Sequence, residues 1–154
     1  FFRPNRFEAL QNLIRFLKPG GQIVLTFPSL GTFDSLWNQV DKEMVALSLN
    51  DERKALDEYI NERPSALQAE KWLQELGLEK VAVIEQPLEI PTGSGRSFLE
   101  HPLLRGGFLD DIYECFQDQE RANEFMNNLS QKTSTFTPLF ALRCAISGWM
   151  PESS

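Results

Sequence analysis

The chain is poor in the residues that most often carry metal and redox chemistry. Its 154 residues hold one histidine, two cysteines and three methionines. Cys115 and Cys144 are too few for a disulfide scaffold and share no metal-ligand spacing, so no metal site is expected. A reduced, cytoplasmic setting is the corresponding expectation. No run reaches the ~18 apolar residues that a membrane-spanning helix needs, and no signal-peptide pattern opens the chain. Positive charge is also short: 15 Lys and Arg stand against 22 Asp and Glu, a net charge of −7. That balance disfavours a nucleic-acid backbone or an anionic membrane as the main partner.

Large apolar groups are plentiful. Apolar residues make up 42% of the chain, and twelve Phe and three Trp are among them. A chain of this length suits one domain, expected over residues 1–150 with a loose tail at 151–154.

Phe7, Leu10, Leu13, Ile14 and Leu17 recur at three- and four-residue steps, which predicts an amphipathic helix from Arg6 to Leu17. Pro19-Gly20-Gly21 stops it and turns the chain. Ile23 to Phe27 then reads as a short, continuously apolar strand, of the kind normally covered on both faces. Thr32 is placed to cap the next helix, whose stripe is Leu36, Trp37, Val40, Met44 and Leu47. Asn50 to Arg63 is helical and highly charged. Ser65 with Gln68 forms a capping box for a third helix, with Gly77 at its C-terminal end.

Leu78 to Ile90 reads as a strand. Pro91 to Gly95 is a break. Arg96 to Lys132 is helical in two or three short pieces, and Thr135 to Trp149 is a last strand. Helices and strands alternate, an α/β pattern with too few strands for a complete doubly wound sheet.

The segment Leu17-Lys18-Pro19-Gly20-Gly21 followed by Gln22 to Phe27 resembles the entry to the fifth strand of class I S-adenosylmethionine-dependent methyltransferases. Ala69 to Gly77 and Glu79 to Glu89 match that family's next helix and sixth strand in type. Phe136 to Gly148 would be its seventh strand, antiparallel and inserted between the fifth and sixth. The stretch from Phe27 to Trp37 with the acidic helix after it, and Phe136 to Phe140, more narrowly resemble the biotin-pathway enzymes that methylate malonyl-carrier protein.

The resemblance implies a Rossmann-like fold of about three strands, in the order 5, 7, 6, with two helical inserts. It implies S-adenosylmethionine as the parent enzyme's cofactor and a small-molecule or carrier-bound methyl acceptor. The family's glycine-rich loop and ribose-binding acid have no counterpart here, and the matching motif lies close to Phe1. The expectation is therefore a C-terminal piece of the enzyme, carrying the substrate-lid side, inactive alone and with no cofactor bound. Its partners would be the missing N-terminal half or, through an open apolar edge at 22–27, another copy of itself. The alternative is a non-enzymatic interaction domain built on the same half-fold.

Among individual residues, Arg96, Arg105 and Arg143 are the candidates for holding a substrate carboxylate, since guanidinium binds carboxylate bidentately. The Thr92 to Ser97 loop has two glycines before a helix, but lacks the third glycine and the P-loop lysine, so it reads as a hinge. His101, followed by Pro102, reads as a loop residue rather than a general base. The charged stretch Asp41 to Glu62 reads as a solvated helix face, and both cysteines as core. No catalytic residue is nominated.

Overall fold

Lys18 to Gly21 closes a type II turn. Gly20 has φ +72°, and the Gly21 amide donates to the Lys18 carbonyl at 2.8 Å. Pro19 pre-sets the first central position, and Gly20 accepts the positive φ that the second one demands. Gly21 is glycine for another reason: a Cβ there would stand 2.8 Å from the Lys18 carbonyl oxygen.

The computed structural model describes residues 5–91, 93, 96–102, 104–131 and 138–152. Among these are α1 (Arg6–Ile14), β1 (Gln22–Pro28), α2 (Asp34–Ala46), α3 (Asn50–Asn61), α4 (Ala66–Glu75) and β2 (Glu79–Ile90). Then follow α5 (Arg96–Leu99), a π-turn (Leu104–Phe108), α6 (Leu109–Glu114), α7 (Gln119–Ser130) and β3 (Leu139–Trp149). The fold is α/β. The sheet order is β1-β3-β2, and β3 runs antiparallel to β1, as the family resemblance implies for the last strand. Residues 132–137, at the expected start of that strand, lie outside the described residues.

Two compact units divide the chain. The first comprises Phe1–Thr32, Arg63–Pro87 and Leu142–Ser154; the second comprises Phe33–Glu62 and Leu88–Ala141.

In the first unit, Ile23, Leu25 and Phe27 lie opposite Gly148, Ile146 and Cys144. They pack with Ile14, Ala69, Leu73 and Leu78 into one apolar cluster. Gly148 makes room for this packing, because a Cβ there would stand 3.0 Å from that of Leu78. Helix α4 starts and stops as its sequence dictates. Ser65 Oγ accepts from the Gln68 amide at 3.1 Å. At the far end, Gly77 (φ +79°) donates to Gln74 and Leu78 donates to Leu73, the two bonds of a Schellman motif.

The expected covering of β1 on both faces is not what forms. Ile23, Leu25 and Phe27 are the inward set, while Gln22, Val24, Thr26 and Pro28 are exposed. Trp149, across from Gln22, and Ile84 of β2 are exposed too. The apolar run thus supplies one buried face and one bare face.

Thr32 also departs from its expected role. The N-cap of α2 is Phe33, at φ 64°, with no side-chain cap. The Thr32 hydroxyl is instead held by the backbone of Leu142, a long-range partner that no local pattern reveals.

In the second unit, Leu36, Val40 and Met44 of α2 and Leu56 of α3 are buried in a cluster with Ile112, Phe125 and Leu129. Phe33 stacks edge-on against Phe108 at 4.6 Å, and Trp37 against Tyr59 at 5.6 Å. The charged face from Asp41 to Glu62 carries an Arg53–Asp41 ion pair, a Lys54–Glu58 pair at 3.9 Å and a link from Arg121 to Glu52 at 3.3 Å.

Candidate functional site

Within the second unit, α5, the π-turn, α6 and α7 surround a cavity of about 420 Å³. Leu99 and Glu100 come from the end of α5, Arg105 from the π-turn, and Asp110 and Tyr113 from α6. Helix α7 adds Met126, Asn127 and Ser130, residues spaced to share one side of that helix. Leu109 and Met126 are buried and give the cavity an apolar base, while Arg105, Asp110 and Asn127 are exposed at its rim. Its volume falls within the range of small-molecule sites, and its lining is more polar than most of them.

An irregular turn lets these groups converge. Residues five apart lie on different sides of a regular α-helix, and the chain departs from that helix at Gly106. Arg105 and Asp110 are five apart and line the same cavity. The turn is kinked at Gly106 (φ −91°, ψ 16°). His101 anchors its start, since its carbonyl accepts from Leu104 at 2.9 Å and from Arg105 at 3.0 Å. His101 is half-buried and sits in this loop, not among the cavity-lining groups.

A second polar cluster lies in the first unit, just past the C-terminal end of β1. Ser29, Thr32 and Arg63 are all buried. Ser29 Oγ donates to Glu85 Oε1 at 2.5 Å, and the Ser29 amide donates to the Leu142 carbonyl at 3.0 Å. The Thr32 hydroxyl accepts from the Leu142 amide at 3.0 Å and donates to its carbonyl at 3.2 Å. Arg63 Nη1 donates to the Thr32 carbonyl at 2.9 Å. Buried polar groups this well satisfied stiffen a loop. The only sequence sign of this cluster is a polar loop directly after an apolar strand. Arg63, at the end of a charged helical run, has every local feature of a solvated residue.

Of the three candidate arginines, Arg105 lines the cavity. Arg143 is exposed on β3 in the first unit, opposite Pro28. Arg96 opens α5. Of the suspected Thr92 to Ser97 loop, Thr92, Ser94 and Gly95 lie outside the described residues.

The two thiols are poor nucleophiles. Burial pushes the Cys115 thiol up to about 11, helped by Asp111, Glu114 and Glu52. Burial, with Glu85 second, also raises Cys144. A thiolate is the reactive form, so neither is set up to attack a substrate at neutral pH. Among the described residues no group of three or more His, Cys, Asp or Glu side chains gathers as a metal site. No helix among them is long and apolar enough to cross a membrane.

No family model matches the chain, and no curated protein matches it. Among solved structures it is similar to Haemonchus contortus phospholethanolamine N-methyltransferase 2, in complex with phosphomonomethylethanolamine and S-adenosylhomocysteine. The TM-score is 0.44 at 14% identity, over 97% of this chain and 31% of that one. This chain therefore spans about a third of that protein's length.

Proposed function

We propose that this chain is the substrate-side portion of an S-adenosylmethionine-dependent methyltransferase that acts on a small-molecule or carrier-bound acceptor. One observation carries the reading. The Lys18-Pro19-Gly20-Gly21 turn leads into β1, and the last strand inserts antiparallel between β1 and β2. That order is the one its sequence resemblance implies.

The connection from β1 to α2 is held closed, with Ser29 and Thr32 buried and hydrogen-bonded to Leu142 and Glu85. In this reading the cofactor is held by segments outside these 154 residues, and no chemical step is assigned to this chain. Its contribution is to receive and orient the acceptor in the cavity beside Arg105. Positioning of that kind supplies much of the rate of a two-reactant transfer.

Equilibrium dialysis with labelled S-adenosylmethionine tests this. The 154-residue chain is expected to bind no stoichiometric cofactor, whereas a chain extended upstream from the same gene binds one equivalent and labels an acceptor. Tight binding by the short chain overturns the division of labour. Failure of the extended chain overturns the methyltransferase assignment.

A second reading, a non-enzymatic interaction domain, is favoured by the edge of the sheet. Gly21 and Ser29 direct their backbone bonds toward the β3 side, at Met150 and Leu142. By antiparallel alternation the N–H and C=O groups of Gln22, Val24 and Thr26 then point to the open side. The strand from Gln22 to Pro28 carries no charge. Two copies of a chain with net charge −7 can meet there without opposing like charges. In this reading the partner is a second copy. Sedimentation velocity is expected to show dimers that Val24→Lys disperses, and a clean monomer at high concentration removes the reading.

A further inference from the structure

The cavity of the second unit holds one cationic side chain and two carboxylates above an apolar base. Arg105 is the cation; Asp110 and Glu100 are the acids. Among the described residues the side chains of Arg105, Asp110 and Tyr113 make no hydrogen bond or ion pair with the protein. A cation and a carboxylate that line one cavity, yet are not joined to each other, leave both available to a ligand. The backbone that follows Arg105 is uncrowded too: a Cβ at Gly106 or at Gly107 would meet nothing within 4 Å.

We propose that this cavity binds a small zwitterion. Its oxyanion would sit on Arg105, its protonated amine on Asp110, and the carbon chain between them on Leu109 and Met126. The chemistry of the lining selects this class. A ligand with negative charge alone would leave the Asp110 carboxylate unmatched. A ligand with positive charge alone would leave the guanidinium unmatched. An apolar ligand would leave the polar rim groups without partners once water is displaced, a loss that weakens binding. Arg105 suits a carboxylate or phosphate because its planar fork can donate two parallel bonds. The inference names the acceptor class for the proposed methyltransferase and rests on that reading. Binding itself is measured without methyl transfer, so the two can fail separately.

Three probes of equal chain length test it on the full chain: ε-aminocaproate, caproate and hexylammonium. The Met126 methyl and Asn127 side-chain amide resonances report occupancy. The expected result is saturable shifts with ε-aminocaproate, and affinities about tenfold weaker for each singly charged probe. Arg105→Gln is expected to reduce ε-aminocaproate to the level of hexylammonium. Asp110→Asn is expected to reduce it to the level of caproate, and Arg105→Lys retains part of the binding. Far-UV circular dichroism verifies that each variant is folded. Absence of a saturable shift with ε-aminocaproate overturns the proposal. So does equal affinity for a singly charged probe, or unchanged binding by the folded Arg105→Gln variant.

Discussion

The Thr32 hydroxyl serves both backbone groups of Leu142: it accepts from the amide at 3.0 Å and donates to the carbonyl at 3.2 Å. A side chain here takes the place of one more residue pair in the ladder between β1 and β3. The ladder proper ends at Pro28 opposite Arg143. Just beyond it the Ser29 amide still donates to the Leu142 carbonyl at 3.0 Å, while the Leu142 amide turns to the Thr32 hydroxyl for its acceptor.

Thr32→Val keeps the shape and removes both bonds. Thr32 is almost wholly buried, at 1% exposure, so water cannot replace them. The expected cost is about 1–3 kcal/mol, the penalty for a buried backbone group left without a partner. Thr32→Ser retains the hydroxyl and is expected to recover most of it. Urea denaturation midpoints of the three proteins check this, and equal midpoints for the valine and serine variants would refute it.

Much of the backbone is legible in the sequence because it depends on neighbours in the chain. The Ser65 cap, the Gly77 stop and the Lys18 to Gly21 turn are each decided within six residues, and each forms. Thr32 misleads because its partner is 110 residues away. Arg63 is hidden for the same reason: nothing beside it in the chain marks it, and only the fold buries it against Thr32. The cavity is hidden differently. A helical period of 3.6 would separate Arg105 from Asp110, and the chain breaks that period at the Gly106 kink between them. The double glycine at Gly106-Gly107 is the one sequence sign of that irregularity.

Ser48 marks a place where the sequence is not optimal for its own fold. It ends α2 at φ 55°, and its amide donates to Val45 while that of Leu49 donates to Met44. These are the bonds of a Schellman motif with serine at the glycine position. A left-handed conformation costs a non-glycine residue roughly 1–2 kcal/mol, partly offset by the extra freedom glycine has when unfolded. Ser48 is exposed and loses no packing on substitution. Ser48→Gly is expected to stabilise by about 0.5–1 kcal/mol, seen as a higher thermal midpoint, whereas Ser48→Ala leaves the strain in place. A lower midpoint for the glycine variant would contradict this account.

Cys115 provides a pH-dependent test. Its thiol is pushed from 9.0 to about 11, with burial as the largest cause. The folded state therefore favours the protonated form. Its contribution to stability is full below the unfolded value near 9 and is lost as pH rises toward 11. Alkylation by iodoacetamide should follow the thiolate fraction. In a Cys144→Ala background the rate for the native protein is expected to rise with an inflection near 11, and for the urea-unfolded protein nearer to 9. Coincident inflections would show that the Cys115 environment is not as described.

Gly20 and Gly21 are adjacent but should respond differently to the same substitution. Gly20→Ala places a Cβ at φ +72° with only the Glu152 side chain nearby, at 3.7 Å, so its cost is one of backbone conformation, about 1–2 kcal/mol. Gly21→Ala places a Cβ 2.8 Å from the Lys18 carbonyl oxygen, and that oxygen accepts the hydrogen bond closing the turn. Backbone cannot swing aside as a side chain can, so relief must open the turn. The turn in turn holds β3, because Gly20 donates to the Met150 carbonyl at 3.1 Å and Met150 donates to that of Gly21 at 2.8 Å. Gly21→Ala is therefore expected to be the more damaging, at more than about 2 kcal/mol, and to expose the Met150 amide to hydrogen exchange. Gly20→Ala should leave that amide protected. Equal destabilisation with equal exchange would mean that Gly21 is not needed for the close approach to Lys18.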